Sequence, residues 1–290
     1  MTLWQHIAAR IGEATGSNFR PQPPHHLGGG CINTALRLAD GDQEWFIKIN
    51  TADRPAMFEA EAEGLATMAK TGTIRVPRPL LTGTYDGQSF IVMEYIASGG
   101  SGAGSQAAGE QLAAMHRHTA EHFGWHRDNT IGATHQPNDW RDTWIDFWRE
   151  QRLGFQLDLA ASNGYAYLKR LGEPLLERFP SLIDHDPQPS LLHGDLWGGN
   201  ISSDREGRPV TFDPAVYYGD READLAMTEL FGGFEREFYA AYQTAWPLDP
   251  GYAVRKTLYN LYHVLNHTNL FGCGYAGQTQ RMMERLLAEC

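Results

Sequence analysis

His193-Gly194-Asp195-Leu196-Trp197-Gly198-Gly199-Asn200, with Phe212-Asp213-Pro214 a short link downstream, is the stretch on which the reading of this chain turns. As local structure alone it is a glycine-rich turn between two strands, with Asp195 as the turn former. That reading leaves Asn200 and Asp213 unexplained. Asn200 and Asp213 supply oxygen ligands of the kind a hard cation such as Mg2+ takes, while a carboxylate at 195 can orient or accept the proton of an attacking hydroxyl. A lone H-x-D says little; the offset to Asn200 and the second Asp after it carry the argument.

The run resembles the catalytic loop of the protein-kinase-like fold, H-x-D-L-x-x-x-N, followed by a metal-binding Asp on a strand. The resemblance implies phosphoryl transfer, with Asp195 on the acceptor hydroxyl, Asn200 and Asp213 on Mg2+ bridging the phosphates of ATP, and His193 supporting the loop. Gly194 stands where many protein kinases carry an Arg that pairs with a phosphorylated activation loop. After Asp213 there is no long loop and no A-P-E, only Ala215-Val216-Tyr217-Tyr218-Gly219-Asp220 and a helical pattern. A protein acceptor controlled by such a loop is therefore disfavoured, and the acceptor is expected to be a small molecule. The expected fold class is α+β, a bilobal protein-kinase-like fold. A small β-rich nucleotide-binding lobe would span residues 1–96, and a larger α-rich catalytic and substrate-binding lobe 97–290.

Length and composition agree. The 290 residues are 42% hydrophobic, enough for two lobes with a buried core. A net charge of -11 argues against nucleic acid or an anionic membrane as partner and suits a cationic substrate. The three cysteines, Cys31, Cys273 and Cys290, follow no metal spacing and make an odd count, which points to a reducing compartment. Residues 1–12 lack the continuous apolar length of a signal peptide, and no run reaches the roughly 18 apolar residues of a membrane span. A cytoplasmic protein is expected.

Along the first lobe, residues 3–14 read as a short amphipathic helix. Pro21, Pro23 and Pro24 then lead into Leu27-Gly28-Gly29-Gly30-Cys31-Ile32-Asn33, whose glycines Gly28, Gly29 and Gly30 would let backbone N–H groups approach phosphate. Strands at 33–39 and 44–50 follow, joined at Asp40-Gly41. In the second, Trp45, Ile47 and Ile49 share one face; Phe46 and Lys48 share the other. Lys48 would reach the α- and β-phosphates, and Phe46 would pack on adenine or in the core. A helix over 56–70 carries Glu59, Glu61 and Glu63, one of which should hold Lys48. Comparison with small-molecule kinases selects Glu61 and leaves the others on a solvated face. A hairpin across Asp86-Gly87 returns through 90–96, so that Met93, Glu94 and Tyr95 fall where a hinge would offer backbone groups to adenine.

In the second lobe, a Gly/Ser stretch over 98–105 reads as a linker or rim loop. A helix from Gln106 to about Glu121 carries His116 and His118, which face different sides and are assigned structural or surface roles in place of metal binding. Residues 123–138 read as irregular. A long helix then places Trp140, Trp144 and Trp148 in the core, with breaks near Gly164 and Pro174. Asp224 on a later helix suits a buried carboxylate that accepts catalytic-loop N–H groups. Residues 258–271 and 280–287 complete the helical lobe.

Four further stretches resemble the fructosamine kinases, or ketosamine-3-kinases, relatives of the aminoglycoside and choline kinases. They are Phe123-Gly124-Trp125 through Ile131-Gly132 and Gln136-Pro137-Asn138; Glu150-Gln151-Arg152-Leu153; Tyr218-Gly219-Asp220-Arg221-Glu222 through Phe231-Gly232-Gly233-Phe234; and Leu265-Asn266-His267 through Phe271-Gly272. Trp197 matches the family form H-G-D-L-W-x-G-N, and the resemblance covers nearly the whole chain. It implies ATP-dependent phosphorylation of the 3-hydroxyl of a ketosamine, whose unstable product frees the amine and so deglycates a protein or metabolite. Trp197 is then expected to stack on the sugar or its amine. Some family members with Cys in the phosphate loop are redox-switched through disulfide-linked dimers, which implies the same option for Cys31 and a monomer or homodimer. The alternatives are an aminoglycoside- or choline-type phosphotransferase and an inactive nucleotide-binding regulator; against the latter, Lys48, Asp195, Asn200 and Asp213 are all present.

Overall fold

Turn chemistry sets the frame of the first lobe. In the computed structural model, which describes residues 1–28, 32–99 and 106–290, strands β2 (Thr34–Asp40) and β3 (Gln43–Thr51) meet at Gly41-Asp42. The turn is one residue later than expected, because Asp40 still pairs with Gln43 and the left-handed conformation falls on Gly41 (φ 58°). Strands β4 (Pro79–Tyr85) and β5 (Gln88–Glu94) are joined at Asp86-Gly87, both at positive φ (49° and 73°), the two-residue turn that matches strand twist. With β1 (His25–Leu27) these strands form an antiparallel sheet ordered β1-β2-β3-β5-β4.

Alternation along β3 then places two helices. Ile47 and Ile49 join Leu36, Leu38 and Val92 under helix α1 (Leu3–Thr15), whose Leu3, Ile7 and Ile11 are buried there. Thr2 and Gln5 cap α1 reciprocally, each satisfying an orphan donor of the other. On the opposite face, helix α2 (Pro55–Lys70) packs Phe58, Leu65 and Met68 with Ile91 and Met93 in a core continuous with the second lobe.

The second lobe is mostly helical, and here the structure departs from the sequence reading in four places. Helix α3 (Gln106–His116) ends about five residues early, because the chain beyond it runs against strand β8 (Ser190–Leu192): Leu191 N–H donates to His118 O at 2.8 Å. Residues 123–138 contain a hairpin, β6 (Asn129–Ile131) and β7 (Thr134–Gln136). Its buried amides close on one another, since Gln136 and Asn138 both donate to Asn129 Oδ1 (2.7 and 3.0 Å) while Asn129 donates to Val216 O. Such a network carries no hydrophobic period. Trp140 precedes helix α4 (Trp144–Phe147), which Thr143 caps, and lies 41% exposed near Tyr218; only Trp144 and Trp148 enter the core. Beyond a π-helical turn over 148–154 and helix α5 (Phe155–Ser162), Pro174 sits inside helix α6 (Ala166–Arg178), on its exposed side. There the carbonyl it frees can meet water.

Strands β9 (Ile201–Ser203) and β10 (Pro209–Thr211) form a hairpin, and β11 (Tyr217–Gly219) pairs with β8. Helices α7 (Glu222–Leu230), α8 (Arg236–Ala245), α9 (Tyr252–Phe271) and α10 (Cys273–Glu289) complete the chain. No described helix is long and apolar enough to cross a membrane. An antiparallel small lobe against a helical large lobe is the bilobal α+β arrangement expected.

Candidate active site

Lys48 projects from the centre of β3, opposite Ile47, and is buried in the cleft. Its ammonium lies 2.6 Å from Glu61 Oε1 of α2 and 2.6 Å from Asp213 Oδ1 of the large lobe, so this one side chain ties the lobes together. Burial alone would lower the Lys48 pKa, but the charges of Asp213 and Glu61 outweigh it and raise it. Burial raises the Glu61 carboxyl against the opposing pull of Lys48. Glu59 and Glu63 lie on the opposite side of α2 and do not simply face water. Arg127 reaches both (3.5 and 3.3 Å) and also the Ala56 carbonyl, and His126 meets Glu63.

Asn200 and Asp213 stand at the end of the β9–β10 hairpin, where Phe212 N–H donates to Asn200 O at 2.9 Å. Asp213 has a left-handed backbone (φ 54°), uncommon for a residue with a side chain though Asp tolerates it best, and its carboxylate is 51% exposed to the cleft. Asn200 Nδ2 donates to Asp195 O (2.9 Å) and Oδ2 (3.2 Å), linking the metal-type donors to the central carboxylate. Enclosure at the cleft floor and the charge of Asp213, opposed by the Asn200 hydrogen bond, push the Asp195 pKa up to about 7.

The loop is held from behind. Asp224 accepts His193 N–H on Oδ2 (2.7 Å) and Gly194 N–H on Oδ1 (2.8 Å). Burial would raise the Asp224 pKa, but the hydrogen bond from His116, the neighbouring imidazoles and the Gly194 N–H outweigh burial and lower it. The His193 ring donates from Nε2 to Phe212 O (2.8 Å) and accepts Asp195 N–H on Nδ1 (3.2 Å); burial lowers its pKa. Gly194 has φ 81°, and a Cβ there would lie 2.1 Å from Ala215 O. Backbone contact thus gives a steric reason for glycine at this position.

Three cavities meet here. One of about 620 Å³ is lined by Gly28, Phe46, Met93, Glu94 and Tyr95 and extends to Asn200 and Asp213. A second, about 230 Å³, carries Phe46, Lys48, Glu61, Asp195, Asn200 and Asp213. The third, about 370 Å³, shares Asp195 and Trp197 with the second and is walled by Phe231, His263, His267, Phe271 and Tyr275. Glu94 is partly committed elsewhere, since its N–H donates to Arg78 O (2.8 Å) and its carboxylate pairs with Arg75 (2.7 Å). Gly29, Gly30 and Cys31 lie outside the described residues; Cys273 and Cys290 are free and exposed. The aromatic wall of the third cavity went unassigned in the sequence, although His263, His267 and Phe271 recur every four residues on α9 and so share one face.

The lobes, the Lys48–Glu61 pair and the joined Asp195, Asn200 and Asp213 set define a kinase of the protein-kinase-like fold. Chain-wide comparison narrows this: the sequence model for fructosamine kinase matches residues 3–289, and the protein belongs to that family. It is 49% identical to a "probable ketoamine kinase" of Synechocystis over 98% of this chain and 97% of that one. It is 44% identical to the chloroplastic protein-ribulosamine 3-kinase of Arabidopsis thaliana, over 90% and 81% of the two chains. Among solved structures, one from Haemophilus somnus provisionally named fructosamine-3-kinase superposes with a TM-score of 0.89 at 31% identity, covering 98% and 97% of the chains. An aminoglycoside phosphotransferase solved with ADP and hygromycin B superposes at 0.60 with 15% identity over 97% and 98%, a likeness of fold.

Proposed function

We propose that this protein transfers the γ-phosphoryl group of ATP to the 3-hydroxyl of a ketosamine, and so starts removal of the sugar from an amine. The observation that carries this reading is that Asp195 lines both the cavity that holds Lys48, Asn200 and Asp213 and the aromatic chamber beside it, while the larger cavity along the 93–95 segment joins the first through Phe46, Asn200 and Asp213. In this reading Phe46 and the 93–95 segment flank adenine, and Lys48, oriented by Glu61, holds the α- and β-phosphates. Asp195 positions the acceptor hydroxyl and takes its proton, with His193 and Asp224 keeping the loop in register. Asn200 and Asp213 form an all-oxygen donor set that fits Mg2+, with the Asp213 carboxylate open to the cleft. When bound, Mg2+ neutralises charge on the transferring phosphate. Among the described residues lining the aromatic chamber, Asp195 is the one carboxylate, a poor match for a polycationic aminoglycoside and a good one for a sugar bearing a single amine.

Trp197, 40% exposed at the junction of the cavities, would cover the sugar or its ammonium. Trp197→Ala should raise the ketosamine KM by about tenfold with the ATP KM unchanged, given the ~1–2 kcal/mol of such a ring contact; an unchanged ketosamine KM removes this role. The functional reading itself is tested by ATP consumption with Mg2+ and ribulose-lysine, fructose-lysine, kanamycin or choline. Turnover on the ketosamines that is lost in Asp195→Asn is expected, and turnover confined to kanamycin or choline would overturn the acceptor assignment.

A further inference from the structure

Behind the catalytic loop runs a buried chain of polar groups that phosphoryl transfer does not by itself require. His116, at the end of α3, is fully buried, with Nε2 3.1 Å from Asp224 Oδ2 and Nδ1 2.8 Å from Tyr242 Oη of α8. Tyr242 Oη in turn lies 3.3 Å from Arg221 Nη1. Arg221 is anchored by the carbonyls of Trp246 (3.1 Å) and Pro247 (2.6 Å), and its guanidinium lies 4.3 Å from the centre of the Trp246 ring.

The two ends of this chain determine its direction. A guanidinium only donates, and an ionised carboxylate only accepts. Arg221 therefore donates to the Tyr242 oxygen, His116 Nε2–H donates to Asp224, and with a neutral imidazole the Tyr242 hydroxyl donates to His116 Nδ1. The opposite tautomer would set two acceptors against each other at Asp224. The same Asp224 oxygen that receives His116 also receives His193 N–H, while the other oxygen receives Gly194 N–H, one residue before Asp195. Asp224 can hold two catalytic-loop amides in one orientation only if its own orientation is held, and His116 is the side chain that holds it.

We propose that His116 and Tyr242 are positioning residues of the transfer reaction, fixing through Asp224 the backbone that aims Asp195. They touch neither nucleotide nor acceptor, so their loss should lower kcat and leave both KM values in place. The kinetic part rests on the ketosamine reading. A second measurement does not: amide hydrogen exchange at 193–194, which reports the Asp224 contacts directly.

His116→Phe keeps ring volume and removes both hydrogen bonds. It should lower kcat by about tenfold or more, as losing an orienting partner behind a reacting group commonly does, with both KM values within about twofold. His116→Gln, which restores a donor near the Nε2 position, should recover most of that loss. Tyr242→Phe should lower kcat by about threefold, the worth of one hydrogen bond. Exchange at 193–194 should rise about tenfold in His116→Phe while the amides of β3 and β5 keep their wild-type rates. If His116→Phe does not fold, Tyr242→Phe decides by the same two readings; if the wild type turns over no ketosamine, exchange decides alone. An unchanged kcat together with unchanged local exchange overturns the proposal. Uniformly faster exchange across both lobes also overturns it, because that is the signature of a residue that only stabilises the fold.

Discussion

Asp213 shows how much is asked of one residue. It carries a left-handed backbone, an ion pair to Lys48 and a carboxylate open to the cleft. Asn tolerates the same backbone, so Asp213→Asn keeps the conformation and removes the charge. Turnover in a coupled assay should fall by at least about a hundredfold, the loss of more than ~2.7 kcal/mol of transition-state stabilisation. The melting temperature should move by only a few degrees, and retained turnover would remove the metal role. Gly194 is the reverse case, where the side chain must be absent. Gly194→Ala puts a Cβ against Ala215 O at positive φ and should cost at least about 2 kcal/mol, measured by urea unfolding; a neutral result would mean the loop shifts freely. At this scale the grouping of Lys48, Asp195, Asn200 and Asp213 was readable because the kinase-like pattern places particular groups at particular offsets. The reason for glycine at 194 was not, since Ala215 approaches it across a turn made by other strands.

Helix α2 is the element whose reading changed most. Its propensity and its Lys48 partner were legible, with Glu61 singled out by comparison with small-molecule kinases. Glu59 and Glu63 read as a solvated face because nothing near them in sequence opposes them. Arg127 and His126, arriving from the large lobe, make that face a clasp on the helix that carries Glu61. The groups are about a third to a half exposed, so each pair contributes little stability. Their effect should be on orientation. Arg127→Ala is expected to raise the ATP KM about threefold while changing unfolding free energy by less than about 1 kcal/mol; steady-state kinetics with an unchanged ATP KM would show that α2 is held without the clasp. Helix α3 offers the complementary lesson. Its periodicity ran past His116, but pairing with β8 competed for the backbone beyond it and won.

Across the whole molecule, a buried charged cluster joins the 184–185 segment to α7 and α9. His185 Nε2 lies 2.8 Å from Asp220 Oδ2, which Tyr259 also reaches, and Arg255 clasps Glu222 at 2.7 and 3.0 Å while pairing with Asp184. Burial alone would lower the His185 pKa, yet Asp220 outweighs it and raises it. The stability His185 contributes is therefore fully present below the ordinary histidine value of about 6.5 and is lost as pH rises through the raised value. Burial would raise the Asp220 pKa, but the His185 hydrogen bond and charge, with that of Tyr259, outweigh it and lower it. Its contribution is present above the ordinary value of about 4 and is lost in acid. Both operate together between roughly pH 4 and 6.5. His185→Gln should thus destabilise the protein more at about pH 5.5 than at about pH 8.5 in chemical unfolding; an equal loss at both would show that the contact is not ionic.

The sequence alone determined the kinase-type spacing of Asp195, Asn200 and Asp213, the two hairpins of the small lobe and the placement of Lys48 on the cleft face of β3. Each follows from short-range rules: group chemistry at close offsets, turn preferences, and a side-chain period of two in strands. Folding in three dimensions decided the aromatic chamber beside Asp195, the β6–β7 hairpin with its closed amide network, the clasp on α2 and the buried line from Arg221 to Asp224. Several of these joints bring together residues far apart in the chain, such as His116 and Asp224. No local pattern encodes such pairs, because a buried polar group is stable only beside the partner that the completed fold delivers.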